Sequence, residues 1–210
     1  AAFFPLYPMI VDAADRLLPG GSVIAGLAVN FVLGTVAVYL VGLIARSIFD
    51  AKAAERSMIL MALFPGAFIL SFAYSEALLI VLAAGCLYAL QRRQWLAAGV
   101  LAALATATRP NGVAVAAACA VAAIIAIRDD RDWRALLAPA LAPIGFIAFQ
   151  WYLRVHTGEP WAWFRVQRDA WGEGTSFGIT ALDNTFGFLA HPLRSPTDTL
   201  TGITIVITAA

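Results

Sequence analysis

SVIAGLAVNFVLGTVAVYLVGLIARSI, residues 22–48, carries no charge until Arg46. A membrane-spanning helix needs about 20 consecutive, mainly apolar residues, so this stretch reads as one span with length to spare. Outward from it the pattern repeats. Apolar segments follow near 57–73, 77–91, 95–108 and 111–127, then a longer one near 135–154. Upstream, Pro8 to Leu18 sets Ile10, Val11, Ala14, Leu17 and Leu18 against Asp12, Asp15 and Arg16. Pro8 suits a first helical position and Pro19-Gly20-Gly21 a stop, which predicts a short amphipathic helix lying at the membrane surface.

The fold class that results is all-α: a polytopic transmembrane helical bundle of about six to seven spans. Composition agrees, with 61% hydrophobic residues, 13% charged and a mean hydropathy of +0.82. Soluble domains carry about a quarter charged residues. A net charge of +1 offers no field for nucleic acid. Cys86 and Cys119 lie in apolar runs without a CxxC, and His156 and His191 are far apart, so neither a structural metal site nor a disulfide framework is expected. Lys52 is the sole lysine among 14 basic residues; with the heavy use of Ala, that bias reads as bacterial.

Several segments are short. A 15-residue helix covers roughly 22 Å of the ~30 Å hydrocarbon core, so flanking Arg92 and Arg93 must snorkel. Pro65-Gly66 falls inside one segment and should break it. Basic residues sort the loops. Arg46, Lys52 and Arg56, then Arg92 and Arg93, then Arg128, Arg131 and Arg134 occupy alternate linkers, which the positive-inside rule assigns to the cytoplasm. The other linkers then face out of a bacterial plasma membrane, and they hold the unusual polar groups. One transmembrane domain over 1–210 is expected: an outer interfacial helix over 1–21, a membrane core over 22–154, an outer Trp-rich loop over 155–197, and the start of a further span over 198–210. The opening Ala1-Ala2-Phe3-Phe4-Pro5, without an initiator Met, and the apolar close Ile203–Thr208 read as an internal piece of a longer protein.

Three outer features hold candidate chemistry. Glu76, in Tyr74-Ser75-Glu76, is a carboxylate at a membrane boundary. Such a group pairs, titrates or lines a cavity, and the plainer alternative is a residue near a helix N-cap. Arg109-Pro110-Asn111-Gly112 follows one hairpin later. Arg109 suits a helix C-terminus in an ordinary loop, and a guanidinium there also grips phosphate. Trp163, Gln167 and Trp171 are spaced i, i+4, i+8 on a helix opened by Pro160 and closed by Gly172. That face is either an aromatic belt or a sugar platform. Phe3-Phe4-Pro5-Leu6-Tyr7-Pro8 is likewise either an anchor or a pocket wall.

The order of these motifs resembles that of the PIG-V-like mannosyltransferases, multi-spanning glycosyltransferases of the GT-C superfamily. The carrying residues are Phe3-Phe4-Pro5-Leu6-Tyr7-Pro8, Phe64-Pro65-Gly66, Ser71-Phe72-Ala73-Tyr74-Ser75-Glu76, Arg109-Pro110-Asn111-Gly112, Gly158-Glu159-Pro160, Gln167 and Trp171. The resemblance implies transfer of mannose, with inversion, from polyprenyl-phosphate-mannose to a lipid or protein acceptor at the outer face. It implies no cofactor or metal beyond that donor, and membrane lipids as partners. It places the catalytic acid in a Trp-Asp motif upstream of the Phe-Phe-Pro segment, so the isolated chain is expected to be inactive. Glu76 is the candidate within the chain. Tyr74, Ser75, Arg109, Asn111, Gln167 and Trp171 are the candidate substrate contacts. Ala77 departs from the pattern, which has Ser after Tyr-Ser-Glu. A secondary transporter and a non-catalytic membrane subunit are the competing readings.

Overall fold

The computed structural model describes residues 3–159 and 161–171, with Asp183, Phe186 and Gly187. The chain divides into two compact units, Ala1–Trp163 and Phe164–Ala210. The described residues are helical or loop, with no strand among them.

In the first unit α1 (Leu6–Asp15) is followed by α2 (Gly21–Ile48), α3 (Ala51–Leu63), a 3₁₀ segment (Pro65–Ser71), α4 (Glu76–Gln91), α5 (Trp95–Thr106) and α6 (Gly112–Asp130). A 3₁₀ turn at Trp133–Leu136, α7 (Leu137–Leu141) and α8 (Ile144–Thr157) follow. α9 (Ala162–Trp171) leads into the second unit. α2, α6 and the Trp133–Thr157 run are long and apolar enough to cross a membrane, and the bent pair of α3 with its 3₁₀ segment adds a fourth. α4 and α5 are apolar but shorter. Six apolar segments thus stand where six to seven spans are expected. The expected further span over 198–210 lies outside the described residues.

The packing is that of a membrane bundle. Small side chains fill the inside: Ala25, Ala37, Ala77, Ala98, Ala102 and Ala105 are buried. Large apolar ones such as Phe31, Leu63, Ile124 and Ile147 stand outside. Lipid tails are as apolar as Leu, so helices gain little by hiding Leu and much by close backbone contact. On α2 this produces a stripe in which Gly26, Gly34 and Gly42 face Ala73, Leu70 and Met58. Between α4 and α6 the fully buried Cys86 and Cys119 bring their sulfurs to 3.5 Å, both as free thiols.

Three boundaries differ from expectation. α1 runs from Leu6, with Pro5 at the N-cap, to Asp15, rather than from Pro8 to Leu18. Pro8 is tolerated there because the first four amides of a helix have no intrahelical acceptor. Lys52 and Arg56 lie on α3 rather than in a linker, because Asp50 caps that helix and accepts from the Ala53 amide at 2.7 Å. His156 belongs to the last turn of α8, not to a loop. The break at Pro65 is as expected: α3 ends at Leu63, Phe64 takes an extended ψ before the proline, and the following 3₁₀ segment turns by 77°.

Candidate functional site

Two linkers meet at one end of the bundle. After the 3₁₀ segment Phe72 is extended and the Tyr74 amide donates to the Phe72 carbonyl at 2.7 Å. That tight turn is held from α2. Asn30, fully buried, donates through its amide nitrogen to the Phe72 carbonyl, and to the Tyr74 carbonyl at 2.7 Å. The second linker joins α5 to α6. Its Gly112 amide donates to the Arg109 carbonyl at 3.0 Å. A Cβ on Gly112 would lie 2.4 Å from the Ala105 carbonyl oxygen, so only glycine permits this approach.

These linkers bring four predicted residues together. Arg109 forms an ion pair with Glu76, and the same nitrogen donates to Ser75 Oγ at 3.3 Å. Its guanidinium carbon lies 5.3 Å from the centre of the Tyr74 ring. The side chains of Arg109 and Glu76 are 27% and 21% exposed. That burial separates them from ordinary surface pairs and makes loss of one partner expensive for the other. Ser75 occupies the N-cap of α4 without making a side-chain cap, so the Tyr-Ser-Glu turn serves the ion pair rather than the helix end.

Sequence reasoning missed Asn30 and the inward part of Tyr7. The signal for Asn30 was available, since it is the one amide side chain in residues 22–48. Tyr7 is buried against the core that holds Leu78 and Leu82. Burial pushes its phenol above the usual value of 10, and the Glu76 carboxylate adds to that shift. Phe4 is buried in an aromatic cluster: it packs at 4.3 Å on the Phe149 ring and edge-on to Trp163 at 5.7 Å.

Of the remaining predicted residues, only Asn111 lies in the same unit, and no side-chain bond joins it to that contact. Asn111 is exposed at the N-cap of α6 and makes no side-chain cap. Gln167 is half-buried on α9, in the second unit. The side chain of Trp171 lies outside the described residues, as do Pro160 and Gly172. The helix that these two residues were expected to bound is observed from Ala162 to Trp171. Among the described residues no three His, Cys, Asp or Glu side chains cluster as a metal would need.

Residues 2–131 match the family model described as mannosyltransferase (PIG-V). The chain belongs to the PIG-V mannosyltransferase family. The match takes in α1 through α6 and both linkers of the ion pair, so the PIG-V reading covers the residues that the structure gathers. Gln167 and Trp171 lie beyond it. No curated protein and no solved structure matches the chain.

Proposed function

We propose that the Tyr74–Glu76 and Arg109–Gly112 linkers form part of a site that transfers mannose from polyprenyl-phosphate-mannose to a lipid or protein hydroxyl. The proposed setting is the outer face of a bacterial plasma membrane. The observation that carries this reading is the partly buried Glu76–Arg109 pair with Ser75 and Tyr74 around it.

In the reaction the acceptor oxygen attacks the anomeric carbon, the bond from that carbon to phosphate oxygen breaks, and the acceptor proton passes to a carboxylate. Charge accumulates on the departing lipid phosphate. A guanidinium fixed in advance at that place stabilises the transition state more than the ground state. Arg109 has further N–H donors beyond the nitrogen on Glu76 and Ser75. Glu76 has one oxygen on Arg109 and the other free to accept from a sugar hydroxyl. An open groove of about 340 Å³ beside the same turn is lined by Asn30, Gly34, Val38, Leu70 and Ser71. Its apolar walls suit the polyprenyl chain.

The test is transfer from a polyprenyl-phosphate-mannose donor in membranes from cells expressing the full-length protein. Glu76→Gln should lower turnover by about tenfold to a hundredfold, and Arg109→Ala should raise the donor KM and lower kcat together. Unchanged turnover in Glu76→Gln together with unchanged donor KM in Arg109→Ala would overturn the reading.

A further inference from the structure

Tyr7 Oη, Asn30 Oδ1 and Glu76 Oε2 are buried, and none has a hydrogen-bond partner among the described residues. Buried polar atoms are almost always paired, so three orphans brought by α1, α2 and α4 around the Phe72–Glu76 turn mark a place shaped for a polar group from outside. The Tyr7 oxygen lies 3.8 Å from where a Cβ on Gly26 would sit, and that same point presses on the Ala73 side chain. Asn30 stands one helical turn further along α2 and holds the Phe72 and Tyr74 carbonyls. Glu76 comes two residues after Tyr74, and its charge is felt at the Tyr7 phenol.

The donors and acceptors select the ligand. Asn30 Oδ1 and Glu76 Oε2 only accept, whereas the Tyr7 hydroxyl donates and accepts. A phosphate at neutral pH brings mainly acceptors and would oppose two more. An ammonium would find acceptors, but the charge of Glu76 is already matched by Arg109, which leaves a buried cation unneutralised. Neutral hydroxyls satisfy all three atoms: they donate to Glu76 and Asn30 and accept from Tyr7. We infer that Tyr7, Asn30 and Glu76 form a hydroxyl-binding subsite that takes the sugar of the donor, next to the Arg109 that takes its phosphate. This assignment rests on the mannosyl-transfer reading, since it is the transferred hexose that supplies the hydroxyls.

The experiment measures binding of two probes, farnesyl-phosphate-mannose and farnesyl phosphate, to the protein in lipid nanodiscs. Tyr7→Phe deletes a hydroxyl that the described fold does not use, so the variant should keep the wild-type Tm. It should weaken farnesyl-phosphate-mannose about fivefold to tenfold and leave farnesyl phosphate within about twofold. Arg109→Ala should weaken both probes. Equal affinity of wild type and Tyr7→Phe for the mannosyl probe, or an equal loss for both probes, would overturn the subsite and leave the transfer reading standing. Failure of the wild type to bind either probe would overturn the transfer reading, and the subsite with it.

Discussion

Replacing Asn30 with alanine removes its amide, and with it the two hydrogen bonds that the amide donates. The Phe72 carbonyl keeps a partner in the Tyr74 amide, while the Tyr74 carbonyl loses the Asn30 donor at 2.7 Å. Polar contacts between membrane helices average ~0.6 kcal/mol and reach ~1.7. Full burial of Asn30 puts both of its bonds toward the upper end of that range. The sum is about 1–3 kcal/mol. For a chain of this size that corresponds to a fall in Tm of about 2–12 °C. The turn that Asn30 holds also presents Ser75 and Glu76 to Arg109, so farnesyl-phosphate-mannose binding should weaken in the same variant. Thermal unfolding followed by circular dichroism in detergent gives the first quantity, and nanodisc binding the second. A variant with wild-type Tm and wild-type donor affinity would refute the claim that α2 positions the turn.

The raised phenol of Tyr7 gives a pH signature whose sign is fixed. The unfolded phenol loses its proton near 10 and the folded one at higher pH, so its stabilising contribution is intact below pH 10 and is lost as pH climbs through the folded value. Tyr7→Phe should match the wild-type Tm at pH 8 and exceed it at pH 11; an identical difference at the two pH values would count against the buried phenol. The proposed orientation is checked by labelling in intact cells, where the buried native thiols Cys86 and Cys119 give little background. Asn111→Cys should react with an impermeant maleimide and Arg134→Cys should not, and the opposite pattern would reverse the faces.

The helical fold was legible because lipid imposes one rule everywhere: backbone groups must pair within the segment. Residues 22–48 and the break at Pro65 follow from local chemistry. Contacts made across the sequence were not legible. From its neighbours alone Glu76 reads equally well as a residue near a helix N-cap, and its partner Arg109 stands 33 positions away. Asn30 looked like one polar residue in an apolar run, because what it binds is backbone of the Phe72–Tyr74 turn, and carbonyls carry no sequence signature. The start of α3 was misplaced for a different reason. Charged Lys52 and Arg56 resemble linker residues, whereas Asp50 supplies the cap that pulls them into the helix. Tyr74, Ser75, Glu76 and Arg109 were found by their types; what joins them is tertiary.

The shortness of the helices has a consequence for the depth of the site. α2, with 28 residues, is about 42 Å long, whereas α4 with 16 is about 24 Å and α5 with 12 about 18 Å. Ser47 near the end of α2 donates to Gln91 at the end of α4 at 2.6 Å, so these two helices are level there. Their other ends cannot then be level. Seventeen residues separate Ser47 from Asn30, about 26 Å, which is the length of α4 and sets Glu76 beside Asn30. Arg92 and Arg93 follow at the level end, where snorkelling cations mark one hydrocarbon boundary. Glu76 and Arg109 therefore lie about 24 Å along the bundle from the level of Arg92 and Arg93. The 77° break at Pro65 makes this possible, because it converts the rise of α3 into lateral reach and delivers the turn to the flank of α2. In the proposed reaction, that is the level at which Arg109 meets the phosphate of the lipid donor.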